Sequence, residues 1–124
     1  MTTVLLIEDH ADIRASLQEL LQWSGHEVHA AANGTEGLSM FTALQPRVAL
    51  VNLGLPGIDG YEVARRVRAA PGGGEVYLVA LTGWAGDGIK SKALDAGFDQ
   101  HITKPFDVDG LMKIVANPER PAGV

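Results

Sequence analysis

Val48-Ala49-Leu50-Val51-Asn52-Leu53-Gly54-Leu55-Pro56-Gly57-Ile58-Asp59-Gly60 is the stretch on which the reading of this chain turns. Its first four residues are continuously apolar, the mark of a strand covered on both faces. The run ends on Asn52, and a loop punctuated by Gly and Pro follows. Two other short apolar runs end on residues that carry chemistry. Val4-Leu5-Leu6-Ile7 leads into Glu8-Asp9, and a run at 98–102 leads to Lys104-Pro105. Acid, amide and ammonium at three strand ends suggest a metal-and-phosphate site.

The segments between these runs read as helices. Ile13, Leu17, Leu20 and Leu21 recur at helical spacing, and Ser24-Gly25 supplies a stop. Residues 26–31 form a weaker strand, suited to a sheet edge. Asn33 with Glu36 is a capping signal for a helix that places Leu38 and Phe41 on one face and ends at Pro46. Gly60 precedes a helix with a Val63, Ala64, Val67 stripe, broken by Pro71-Gly72-Gly73-Gly74. A fourth strand is expected over 76–81 and a helix over 85–96, its first turn weakened by Gly86 and Gly88. Asp107 is expected to cap a last helix with Val108, Leu111, Met112 and Val115 on one face. Five strands alternating with five helices imply an α/β fold, with parallel strands, right-handed crossovers and helices on both faces of the sheet. In open sheets of this class the site lies beyond the carboxyl ends of the strands, where Glu8, Asp9, Asn52, Thr82 and Lys104 all stand.

Composition narrows the function classes. The 124 residues suit one domain with one core, and 20% charged residues with 46% hydrophobic residues are ordinary for a globular chain. A formal net charge of −5 lacks the basic footprint of a nucleic-acid binder. Without cysteine there is no disulfide, thiolate metal site or cysteine nucleophile. No apolar stretch is long enough for a membrane span, and the start lacks the basic region of a signal peptide, so a cytoplasmic location is expected. The expected division is a domain over 1–117 and a tail or linker start over 118–124.

Glu8-Asp9, the Leu53-to-Gly60 loop, Thr82-Gly83 and Lys104-Pro105-Phe106, in this order on a five-fold β/α alternation, resemble the CheY-like receiver domain of bacterial two-component response regulators. The resemblance covers nearly the whole chain and implies a flavodoxin-like (βα)5 sandwich with strand order 2-1-3-4-5. It implies that Asp9 binds Mg2+ directly, that Glu8 binds it through water or as support, and that Asn52 and the Gly54 carbonyl complete the set. It further implies that Lys104 and Thr82 contact phosphoryl oxygens, that His101 occupies the place of a switch aromatic, and that the bond before Pro105 is cis. The implied partners are a sensor histidine kinase or a histidine phosphotransfer protein. A homodimer through the fourth helix, fifth strand and fifth helix is a further implication. The implied role is a signalling module and not an enzyme, with no nucleic acid or membrane bound by the domain itself.

The departure from the family is Asn52. Receivers carry there an aspartate, which is anionic and accepts a phosphoryl group as an acyl phosphate. A neutral carboxamide does not, so the chain is expected to be phosphorylation-incompetent and to bind Mg2+ more weakly, since hard-cation sites are tuned by ligand charge. The residues leave open whether Asn52 belongs to a natural degenerate receiver or was introduced to abolish phosphorylation.

Taken singly, each residue has a plainer reading. Glu8-Asp9 fits a solvated turn, Lys104 a surface charge, Asn52 a turn former, and His101 an exposed imidazole at a strand end. Trp84 fits either a cleft edge or an ordinary loop. The competing class is a Mg2+-dependent phosphohydrolase of similar topology. An aspartyl nucleophile of that kind requires Asp-x-Asp after the first strand, which Glu8-Asp9-His10-Ala11 lacks. A flavin or nucleotide carrier is disfavoured by the absence of a glycine-rich phosphate loop after the first strand.

Overall fold

Ten elements alternate along the chain: β1 (Thr3–Ile7), α1 (Ala11–Trp23), β2 (Glu27–Ala31), α2 (Gly34–Leu44), β3 (Val48–Asn52), α3 (Gly60–Ala69), β4 (Tyr77–Thr82), α4 (Asp87–Ala96), β5 (Gln100–Thr103) and α5 (Val108–Ala116). The structure is a computed structural model and describes residues 2–83 and 86–118. The strands pair in parallel in the order β2-β1-β3-β4-β5.

Successive side chains of a strand point to opposite faces, and both faces are buried here. Leu5 and Ile7 of β1, Ala49 and Val51 of β3, and Leu78 and Ala80 of β4 pack with Phe41, Val63, Ala64, Val67, Ala93 and Ala96, on the side of α2, α3 and α4. Val4, Leu6, Val48, Leu50, Val79 and Leu81 pack with Leu17, Leu21, Leu111 and Val115, on the side of α1 and α5. This explains continuous apolar runs in place of alternation. Every residue of β3 is buried, so Asn52 stands at the end of a fixed central mount.

Helix starts follow local chemistry. Asn33 Oδ1 accepts from the Glu36 N–H at 2.8 Å, and Asp59 Oδ1 accepts from the Glu62 N–H at 2.9 Å, each satisfying a backbone donor that the first turn leaves open. Gly60 is the first residue of α3, not the residue before it. The Asp107 side chain makes no capping hydrogen bond, and Val108 is 44% exposed. Val108 stands at the first helical position, one turn ahead of Leu111, where α5 reaches the sheet. Within the described residues α4 begins at Asp87, after Gly86 with φ 135°, and its start has no side-chain cap. β2 is an edge strand, its Glu27 exposed. β5 begins at Gln100, with Phe98 buried in the turn before it. Trp84 and residues 119–124 lie outside the described residues.

Candidate functional site

Strand order brings distant residues together. The ends of β1 and β3 lie side by side, with Ile7 paired to Val51, and the register continues through Asn52–Leu81 and Thr82–Thr103. Past these ends the backbone remains tied. The Leu53 N–H donates to Leu81 O at 2.9 Å, and the Lys104 N–H donates to Thr82 O at 2.7 Å. The Lys104–Pro105 peptide bond is cis.

Asn52 is 8% exposed and Glu8 is fully buried. Asn52 Nδ2 donates to Glu8 Oε1 at 3.0 Å and to Asp9 Oδ1 at 2.9 Å. Asn52 Oδ1 accepts from the Gly54 N–H at 3.0 Å. Glu8 Oε1 also accepts from the His10 N–H at 3.1 Å, while Glu8 Oε2 accepts no hydrogen bond among the described residues and faces Lys104 Nζ at 3.6 Å. A buried carboxylate is tolerated only when it is paired and hydrogen-bonded, and these contacts supply both.

The loop after β3 is held by α3. The Gly60 N–H donates to Leu53 O at 3.1 Å. A Cβ on Gly60 would lie 2.5 Å from the Asn52 carbonyl oxygen and 2.7 Å from Leu53 Cα, so only glycine lets the helix start this close to the site.

Glu8, Asp9, Asn52 and Lys104 are thus brought into direct contact, with Gly54 joined to them through its N–H. Thr82 is buried at the end of β4, one strand away from Asn52. His101 lies opposite Ala80 and not opposite Thr82, and it lines a cavity of about 250 Å³ with Lys90, Ala93, Leu94, Asp99 and Gln100. Two contributors were not singled out from the sequence. Arg14 reaches back from α1 to the carbonyl oxygens of Glu8 (2.9 Å) and Asp9 (3.4 Å), and His10 supplies the N–H on Glu8. The available signal was position: an arginine in the first turn of the helix that follows an acidic pair. Beside Lys104, an apolar groove of about 340 Å³ is lined by Ile13, Leu17, Pro105 and Phe106, with Asp12 and Ser16 at its side.

Comparison with known proteins agrees with the fold. The family model described as "Response regulator receiver domain" matches residues 4–116. The chain is 38% identical over 114 residues to the virulence transcriptional regulatory protein PhoP of Salmonella typhimurium, covering 90% of this chain and 49% of that protein. It is 33% identical over 112 residues to an uncharacterised 14.6 kDa protein of Leptolyngbya boryana, covering 90% of this chain and 86% of that one. Among solved structures, the chemotaxis protein CheY4 of Vibrio cholerae superposes with a TM-score of 0.89 at 27% identity, covering 94% of this chain and 97% of that one. The chain spans about half the length of PhoP and of the Streptomyces coelicolor regulator AfsQ1, where the covered share is 45%.

Proposed function

This chain belongs to the response regulator receiver domain family, and from that premise we propose that it is a phosphorelay receiver that docks its partner without accepting a phosphoryl group. Receivers of two-component systems are signalling modules that interact with histidine kinases or phosphotransfer proteins, and they generally bind Mg2+ at the phosphorylation site. The observation that carries the reading is the state of Asn52. Its nitrogen is an amide donor engaged by two carboxylates, and its oxygen is engaged by the Gly54 N–H. Neither atom is a nucleophile available for attack on phosphorus, whereas a carboxylate in the same place would be.

In this reading Glu8, Asp9, Asn52 and the Gly54 carbonyl mark the family's cation position, and Lys104 and Thr82 its phosphoryl position. Mg2+ binds more weakly than in a receiver with aspartate at 52, because two carboxylates remain where the family has three. The partner is a sensor histidine kinase or a histidine phosphotransfer protein. The groove between α1 and the residues after Lys104 supports this, since Ile13, Leu17, Pro105 and Phe106 offer an apolar seat for a helix next to the site. A second copy would meet the face of α4, β5 and α5, where Leu94 is 50% exposed and His101 is half-buried. Sedimentation at several concentrations reports that contact.

The deciding experiment is incubation with a small-molecule acyl phosphate and Mg2+, followed by intact-mass analysis. No adduct is expected on this chain, and uptake is expected on Asn52→Asp. A phosphate mapped to Asn52, or an Asn52→Asp variant that folds and stays unmodified, would overturn the reading.

A further inference from the structure

The acid pair at the end of β1 is already bridged. The Asn52 carboxamide has two N–H groups, and Glu8 Oε1 at 3.0 Å and Asp9 Oδ1 at 2.9 Å both lie within hydrogen-bond reach of Nδ2. Its oxygen takes the Gly54 N–H at 3.0 Å. Turning the amide over would set Oδ1 against two carboxylates and NH2 against an N–H. The network therefore admits one orientation only.

Mg2+ takes oxygen ligands in near-octahedral geometry. Toward both acids, position 52 presents a protonated nitrogen instead of an oxygen. As arranged, these residues do not fit the cation. Bringing the carboxamide oxygen to a cation held between the two acids requires turning the amide over and giving up all three of its hydrogen bonds. The remaining charge is offset from the other side by Lys104, 3.6 Å from Glu8 Oε2.

We propose that the Asn52 carboxamide stands in for the divalent cation, holding Glu8 and Asp9 together and making the folded receiver independent of Mg2+. This rests on the receiver reading above and deepens it. Loss of the acyl-phosphate chemistry and loss of the metal requirement then follow from one side chain. The positive partner that a bound cation would give the two carboxylates is supplied here by a pair of N–H donors.

The test is thermal unfolding of the full chain, Asn52→Asp and Asn52→Ala, each in EDTA and in millimolar MgCl2, with calorimetric Mg2+ titration of the unaltered chain. The unaltered chain is expected to melt at the same temperature in both buffers. Asn52→Asp is expected to melt lower in EDTA and to recover with Mg2+, binding it on the order of 10-fold or more tightly than the unaltered chain. Asn52→Ala is also expected to melt lower in EDTA, because the acids lose their bridge.

Three results would overturn the proposal: a Mg2+-dependent rise in the unaltered chain equal to that of Asn52→Asp, equal Mg2+ affinity of the two, or an Asn52→Ala variant as stable as the parent in EDTA. If the variants do not fold in EDTA, saturable sub-millimolar Mg2+ binding by the unaltered chain is by itself enough to overturn it. The two readings fail separately. Tight Mg2+ binding without phosphate uptake removes only this inference, and phosphate uptake on Asn52 removes the function proposed above.

Discussion

Lys104 Nζ lies 3.6 Å from Glu8 Oε2, the one oxygen of that fully buried carboxylate that accepts no hydrogen bond among the described residues. The contact joins the end of β5 to the end of β1 across two intervening strands. Lys104 is partly exposed, with 27% of its side chain accessible, so water screens the pair from one side only.

Removing the ammonium leaves a buried charge without its counter-charge. Lys104→Met is predicted to cost about 1–3 kcal/mol in urea unfolding. Glu8→Gln in the same background should recover part of that loss, because the charge that needed pairing is gone. Strictly additive costs in the double-mutant cycle would show that the two residues do not act as a pair.

Gly60→Ala tests the close approach of α3 to the Asn52 carbonyl. The added methyl must displace backbone, not a flexible side chain, and a loss of about 1–3 kcal/mol is predicted. Gly88→Ala is the control: its Cβ meets nothing within 4 Å, and it lies inside α4. There the exchange should be neutral or stabilising by up to about 1 kcal/mol. Equal effects at the two positions would remove the steric argument.

Asn52 should resist deamidation in the folded chain. That reaction needs the next backbone nitrogen to attack the side-chain carbonyl carbon, and the Leu53 N–H is held by Leu81 O at 2.9 Å while both ends of the amide are hydrogen-bonded. Peptide mapping after prolonged warm incubation is predicted to find Asn52 intact in buffer and partly converted in denaturant. Conversion at the same rate in both would mean that the amide is not held as described. The outcome matters for function, because conversion to aspartate would create a phosphoacceptor.

His26 gives a pH dependence unconnected with the site. Its Nδ1 accepts the Thr2 N–H at 3.2 Å, and burial holds its pKa below the usual histidine value of 6.5. A base with a depressed folded pKa is favoured neutral in the native state. Between the folded and unfolded pKa values the unfolded chain binds more protons, so this contribution is complete above about 6.5 and is lost as pH falls through the folded pKa. The urea midpoint should decline from pH 7 toward pH 5, and His26→Gln should flatten that slope. An unchanged slope in the variant would assign the decline to other groups.

Much of this molecule is written locally. The five apolar runs, the stripe of Val63, Ala64 and Val67, and the cap at Asn33 depend on residues a few positions apart, and the structure reproduces them with shifts of one or two residues. Where local reading failed, the cause was tertiary. Val108 shares a stripe with Leu111 but stands one turn short of the sheet. Asp107 has a capping residue's identity without the capping bond. Arg14 escaped notice because its value lies in reaching back to Glu8 and Asp9, which no periodicity marks.

The order of residues alone therefore determined the alternating elements and which side chains end the strands, since both follow from short-range sterics and from the need to bury apolar faces. It also determined that the central strand ends in an amide. Only the folded arrangement decided what that amide does. Asn52 meets Glu8 and Asp9 across separations of 44 and 43 residues, and its orientation is set by Gly54 and by two carboxylates that the chain brings together only after the sheet is assembled. Hydrogen-bond direction at such a point depends on where every neighbouring donor and acceptor comes to rest.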